Sequence, residues 1–510
     1  EISCSLVGSE MCIRDSYRGV LGKVDKLVNL DMLTPQGYFH RLGKTGDALF
    51  QMLRSAQDRH IEIMRSAQQA TQDIIGKTNV GQLEREMHTF DIDGQKVTMS
   101  TAQVMALHEL MKRKQAQEHI FTGGIRPDTV RGGRGLRENR RADAVHVSIE
   151  DLAKITGVLT EEQVKIADAL QKYMGGQLAD LGNEASMEVY GYRKFTEPDY
   201  FPIQVDRNQT RQDIAKEAQA QTIAGRGFTK GTNPNANNAV MVGSIFDIFA
   251  SHVNDMATYA AWLPTMENVR RIRDFTYRDS EGNRTGTVKS VIERVFGRNG
   301  NAYLNKLVDD LNQGVRTTGS GNFMDGIVGN YKAAAVAANL RVILQQPTAI
   351  LRALNTLDAK YLAAGTVRRG NWERVMQYAP IARWKDWGYF DINTGRQMKD
   401  VLLGSDSRLE KIKQAGMAGA GRADSFAWSR LWNAVEAETK DRRPGLKPGT
   451  DAFYRAVAER FGQIIDQTQV VDGILQRSQI MRSPDALTKM STSFMGCLLY
   501  TSDAADDLIG

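Results

Sequence analysis

Four residues between positions 244 and 255 carry the functional groups of a hydrolase. Ser244 could attack a carbonyl, His252 could take its proton, Asp255 could orient the imidazole, and Asp247 stands nearby. The spacing argues against this set. Ser244 and His252 are eight residues apart on one predicted helix, with Asp255 a turn beyond, and side chains on one helix radiate outward instead of converging on a substrate. Nor does a G-x-S-x-G turn surround Ser244. Structural polar roles are the expectation, and a hydrolase using Ser244, His252 and Asp255 is kept as an alternative.

Metal chemistry would need ligands on one face. His108 and His119 are eleven apart, three helical turns, with Glu109 and Glu118 beside them, but Met111 and Lys112 fall where a second ligand of an H-E-x-x-H motif would stand. A solvated helix face is expected, and no metal. The glycine-rich segments "GGRGLRENRR" and "AGRGFTKG" lack the G-x-x-x-x-G-K-[ST] ending and an upstream apolar strand, so no phosphate cradle and no cofactor are expected.

The stretch Gly123 to Arg141 is a stronger binding feature. Arg126, Arg131, Arg134, Arg137, Arg140 and Arg141 face only Asp128 and Glu138, which leaves a charge of +4 over residues 126–141. Such a segment would hold DNA through its phosphates, blind to sequence and weakened by salt. No aromatic residues interleave to stack on bases, so a solvated interdomain linker is the plainer reading, and nucleic-acid binding through Arg126 to Arg141 stands as the other alternative.

The elements around these residues are mostly helical. Leu49, Met52, Leu53, Ile61, Met64 and Ile74 trace an apolar stripe from Gly46 to Ile75. Two alternating runs flank Asp93-Gly94 between Thr89 and Ser100, which predicts a hairpin, and Ser100 with Gln103 forms a capping box for a helix to about His119. Ser148 and Thr160 look like caps, and Val164, Ala167, Leu170, Met174, Leu178 and Leu181 define a long helix that Gly175-Gly176 should kink.

Prolines make Glu197 to Asn208 extended. A helix from about Val242 to Phe275 follows, bent at Pro264, then a second hairpin across Thr276 to Ser290. Further helices are expected around Val291–Val295, Asn301–Leu311, Met324–Leu344, Thr348–Ala364, Trp372–Tyr378, Arg408–Ala418, Asp424–Lys440 and Asp451–Gln476. All six tryptophans lie after Ala261, which places the denser core in the second half. The fold class is mainly α, a multi-helix assembly with a few short β-hairpins.

Both ends read differently from the body. "EMCIRDS" (Glu10 to Ser16) and "CLLYTSDAADD" (Cys497 to Asp507) back-translate into the two orientations of a transposase mosaic end used in sequencing libraries. Residues 1–16 and 497–510 therefore resemble translated sequencing-adapter DNA, and the expected protein text runs from Tyr17 to Gly496 as an internal fragment. Setting aside Glu1, Glu10, Asp15, Asp503, Asp506, Asp507 and Arg14 leaves 65 Lys+Arg against 54 Asp+Glu, a body charge of +11. Cys4, Cys12 and Cys497 all fall in these ends, so the body offers no disulfide, thiolate ligand or cysteine nucleophile. The longest small-apolar run, Ala333 to Leu340, is far short of the roughly 18 residues of a membrane span, and no membrane span is expected.

Four segments carry a family resemblance: "SMEVYGYRKFTEPDYFPIQVD" (Ser186 to Asp206), Met241 to Phe275, "NYKAAAVAANLRVILQQPTAILRAL" (Asn330 to Leu354) and "RSQIMRSPDALTKMSTSFMG" (Arg477 to Gly496). Their order resembles the large polyvalent protein associated domains of phage and mobile-element proteins, over about Ser148 to Gly496. The resemblance implies a non-enzymatic helical structural or delivery module, strung with effector domains and delivered with mobile-element DNA. It supplies no catalytic residues. The implied partners are other domains of the parent polyprotein or virion proteins, with possible DNA, in a virion or a bacterial cytoplasm. The expected organisation is an N-terminal helical region with a hairpin over 17–122, a basic linker over 123–147 and the helical module over 148–496.

Overall fold

The computed structural model describes residues 33–92, 94–127, 144–197, 199–205, 239–278, 281–313, 350, 353–386, 402, 408–468 and 474–482. Both adapter-like ends lie outside them, as do the expected helix Met324–Leu344 and most of Asn330 to Leu354. The described chain is mainly α-helical with three small sheets. It forms two compact units, one of residues 56–265 with 394–411 and the other of residues 1–55, 266–393 and 412–510.

Thr34 starts α1 (Pro35–His40) by accepting the Gly37 N–H, with Pro35 in the first turn where no donor is needed. Helix α2 (Lys44–Ile75) buries Leu49, Leu53, Ile61 and Met64 of the anticipated stripe, and α3 (Val80–Arg85) is capped by Asn79. The first hairpin pairs β1 (Met87–Ile92) with β2 (Gln95–Ser100), and Gly94 at φ 76° supplies the positive angle of its turn. Ser100 then caps α4 (Thr101–Leu110), with the Gln103 side chain accepting the Ser100 N–H at 2.8 Å.

Here the expected helix to His119 breaks. Arg113 is extended (φ −98°, ψ 121°), its guanidinium donates to the Phe201 carbonyl at 3.1 Å and lies over the Tyr200 ring, and α5 (Lys114–Gly123) begins afresh. A tertiary tie has overridden a favourable helical pattern. Beyond it, β3 (Ile125–Pro127) enters a three-stranded sheet.

Ser148 and Thr160 form capping boxes on α6 (Ile149–Thr156) and α7 (Glu161–Tyr173). At Gly175-Gly176 the chain makes a π-helical turn, Met174–Leu178, before α8 (Ala179–Tyr190). The extra residue of such a turn is accommodated where glycines relieve crowding. Strand β4 (Gln204–Val205) runs antiparallel to β5 (Val240–Val242), and β3 runs parallel to it. Helix α9 (Ile245–Asp274) carries Pro264 inside it, and β6 (Thr276–Arg278) pairs with β7 (Arg284–Thr287) as the second hairpin.

In the other unit, α10 (Val288–Phe296) and α11 (Asn299–Gln313) pack near α1: Tyr38 stacks on Phe296 and Tyr303, each at 4.6 Å. The expected Thr348–Ala364 helix is divided, with a 3-10 turn at Ala353–Asn355 and α12 (Ala359–Val367) starting after Asp358. Helices α13 (Trp372–Tyr378) and α14 (Pro380–Asp386) follow. The two helices expected between Arg408 and Lys440 are one, α15 (Arg408–Arg442), which tolerates Gly416, Gly419 and Gly421, and α16 (Asp451–Thr468) ends earlier than Gln476. Trp428 and Trp432 of α15 meet Phe461 of α16 edge-on at 5.9 and 5.4 Å, at the centre of a core with Leu431, Val457 and Ile465. Burying each such side chain stabilises the unit by about 1.5–3 kcal/mol. Among the described residues, no helix is long and apolar enough to cross a membrane.

Candidate functional site

The hydrolase residues are placed by the start of α9. Ser244 precedes the helix, where its Oγ accepts the Phe246 N–H at 3.3 Å and donates to Glu84 Oε1 at 3.2 Å. Eight residues of helix rise by about 12 Å, too far for Ser244 to pass a proton directly to His252. His252 is buried, its ring 5.0 Å from that of Tyr200, and burial lowers its pKa to about 4, so the imidazole is neutral at pH 7. Burial pushes the Tyr200 phenol up to about 12, against the nearby Arg113 charge, and the Asp255 charge adds to the rise. Asp247 lies in the first turn of α9, where a carboxylate suits the N-terminal dipole. The helix thus separates the serine from the histidine.

A tighter constellation gathers at the C-terminal end of α4. Lys112 Nζ lies 2.8 and 2.9 Å from the two Glu109 oxygens and 2.6 Å from Asp168 Oδ1 on α7, while His108 Nε2 stands 3.7 Å from the same Asp168 oxygen. Its position has a local cause: the helix ends at Leu110, and the turn through Met111 and Lys112 folds the ammonium back toward the carbonyl end, where a cation is favoured. Glu109 is fully enclosed whereas Asp168 is half exposed.

These surroundings set the charges. Burial drives the Glu109 pKa up to about 7, against the pull of Lys112, with hydrogen bonding to Asp168 adding to the rise. For Asp168, burial acts upward but is outweighed by the Lys112 hydrogen bond and charge, so its pKa falls. His108 is lowered, first by burial and then by Lys112. Glu109 is therefore the group of this cluster that gains or loses a proton near neutrality, with Lys112 and Asp168 as its neighbours.

His108, Glu109 and Asp168 also bring three donor atoms close enough to hold a metal ion. The Lys112 ammonium already contacts both carboxylates, so a cation entering here would have to displace it. The sequence singled out His108 and Glu109 and placed Lys112 as an obstacle to a metal motif. What it missed was Asp168, which lies 56 residues away along the chain and carries no local signal. His119, the proposed companion of His108, is buried on α5 beyond the Arg113 break.

Of the arginine segment, the described residues include Arg126 alone; Arg131, Arg134, Arg137, Arg140 and Arg141 lie outside them. Arg126 is half-buried in β3, opposite Met241 of β5, so this part of the expected linker is a strand. Glycine-rich composition concealed it, because three-residue strands leave too short an alternation to read. Val145, at the other end of the segment, bridges back to Ile125.

No protein-family model, curated protein or solved structure matches the chain.

Proposed function

We propose that the chain is a non-enzymatic, mostly helical structural or delivery module of a large phage or mobile-element polyvalent protein. The observation that supports this reading is the packing of two of its motif segments against each other. Phe195, from the Ser186 to Asp206 segment, meets Tyr259 of the Met241 to Phe275 segment edge-on at 5.2 Å, and Ser186 Oγ hydrogen-bonds the Tyr259 hydroxyl at 3.0 Å. Residues of both segments thus form a joint between α9 and the chain around α8. A motif whose side chains build a joint is what a structural module requires.

The test is long-read sequencing of the source DNA across this frame. A frame that continues into effector domains beside virion or transfer genes supports the module. Start and stop codons just outside Tyr17 and Gly496, with hydrolytic activity lost in either S244A or H252A while folding persists, would overturn it in favour of an enzyme.

A further inference from the structure

The loop that joins α15 to α16 repeats a small device. Arg443-Pro444-Gly445 and Lys447-Pro448-Gly449 each set a cation, a proline and a glycine in the same order. Each forms a β-turn: the Leu446 N–H donates to the Arg443 carbonyl at 3.0 Å, and the Thr450 N–H to the Lys447 carbonyl at 3.3 Å. Proline fixes the second position of such a turn, and Gly449, at φ 91°, supplies the positive angle at the third position of the second one. Each cation therefore stands at the first position, ahead of a rigid corner.

Both turns are tied down. Leu446, half-buried between them, packs against the core around Trp428 and Phe461, and Thr450 Oγ1 accepts the Phe453 N–H at 3.3 Å where α16 begins. The rest of residues 440–450 is exposed, and its four cations face Asp441 alone, a net charge of +3. Asp441 already holds Lys360 and the Tyr361 hydroxyl, and Arg442 is taken by Glu438 and Asp358. Among the described residues, Lys440, Arg443 and Lys447 enter no ion pair. The C-terminal dipole of α15 accounts for Lys440 in its last turn, but it does not extend to Lys447, well beyond the helix end.

We propose that this double turn, with Lys440, Arg443 and Lys447, docks the phosphate backbone of double-stranded nucleic acid. The three cations give up no internal partner when they meet phosphates, and a loop already shaped by two prolines loses little further entropy on binding. A protein partner would bury an apolar centre, and the loop offers none, because Leu446 is spent on the core. Residues 440–450 carry no aromatic ring on which an unpaired base could stack, which favours a duplex over a single strand. Contacts of this kind are blind to sequence and weakened by salt. The site is separate along the chain from the Arg126 to Arg141 segment, and it adds a binding role to the structural reading without depending on it.

The experiment is fluorescence anisotropy of the purified chain with two labelled short duplexes of unrelated sequence, titrated with salt. The parent is expected to bind both alike at low salt. K440Q/R443Q/K447Q should weaken both about tenfold or more and lower the slope of log affinity against log salt by roughly 2 to 3, as the loss of three phosphate contacts requires. K440R/R443K/K447R, which keeps the charges, should bind as the parent does. Circular dichroism melting confirms that the variants are folded. No binding of duplex at low salt, or an unchanged affinity and slope in K440Q/R443Q/K447Q, would overturn the site. Binding abolished only by neutralising Arg131, Arg134 and Arg137 would transfer the activity to the arginine segment and reject it. Tighter binding of poly-glutamate than of duplex would likewise reject it in favour of an acidic protein partner, and tighter binding of an unpaired strand would reject the duplex.

Discussion

In the unit of residues 1–55, 266–393 and 412–510, Arg54 Nε lies 2.6 Å from Asp466 Oδ2 with both side chains almost wholly enclosed, and Arg482 Nε lies 2.9 Å from Asp310 Oδ2 beside Tyr303. In the unit of residues 56–265 and 394–411, the buried Glu109 meets its cation at the surface, because Lys112 and Asp168 are partly in solvent. The same attraction therefore serves two ends. Arginine keeps its charge at any ordinary pH and both partners of the first kind of pair are enclosed, whereas the buried glutamate meets a lysine partly in solvent with a second carboxylate beside it and can exchange a proton as conditions change.

The largest expected effect comes from breaking a fixed pair. Asp466 is held by Arg54 and by the Gln476 amide at 3.1 Å, although burial still pushes its pKa up. Asp466→Ala strands the Arg54 guanidinium among buried atoms and should destabilise that unit by about 3–5 kcal/mol. Chemical denaturation of the single variant and of R54M/D466A checks this: removing both charges should recover most of the loss. If the double variant is as unstable as D466A alone, packing and not charge holds the joint.

The second effect sets the titrating cluster apart. The Glu109 pKa rises on folding from its usual 4.5 to about 7, so the folded state binds the proton more tightly than the unfolded one. Stability from this group is fully present below pH 4.5 and is lost as pH rises through about 7, by at most roughly 3 kcal/mol. Asp168, whose pKa falls, works in the opposite sense at lower pH and reduces the net change. Hydrogen exchange of α4 and α7 amides between pH 5 and 8 should show declining protection, and E109Q should flatten that decline. Protection of the Trp428–Phe461 region should change less over the same range, since Trp428, Trp432 and Phe461 meet through ring contacts that carry no titrating group. An equal pH response in both regions would remove the distinction.

Legibility followed sequence distance. The hairpin at Gly94, the capping box at Ser100, the caps at Ser148 and Thr160, and the stripe of α2 all rest on residues within a few positions of one another, and each was readable. The parallel pairing of Ile125 with Val240, the Arg113 tie to Phe201 and the Lys112 bridge to Asp168 join residues tens of positions apart, and no local pattern announces them. Three of the four cluster residues were thus in view, at His108, Glu109 and Lys112, but without Asp168.

The smallest effect asks what positions the titrating cluster. Helix α4 is held at its start by a local device, the Ser100 capping box, and at its end by the long-range Lys112 bridge. Ser100→Ala removes the side-chain acceptor for the Gln103 N–H, 3.3 Å away, and should cost about 1 kcal/mol. Lys112→Met removes the bridge while leaving the cap. If the helix responds as one rigid rod, losing the cap should also shift the pH midpoint reported by Glu109, and the double variant should depart from the sum of the singles. If its two ends are held independently, the losses should add and the midpoint in S100A should stay where it is. The ten-residue length of α4 and its near-complete burial favour the rigid response, since a buried helix cannot slide at one end without repacking the other. Urea denaturation of the parent, both single variants and the double variant at pH 5 and pH 8 distinguishes the two cases.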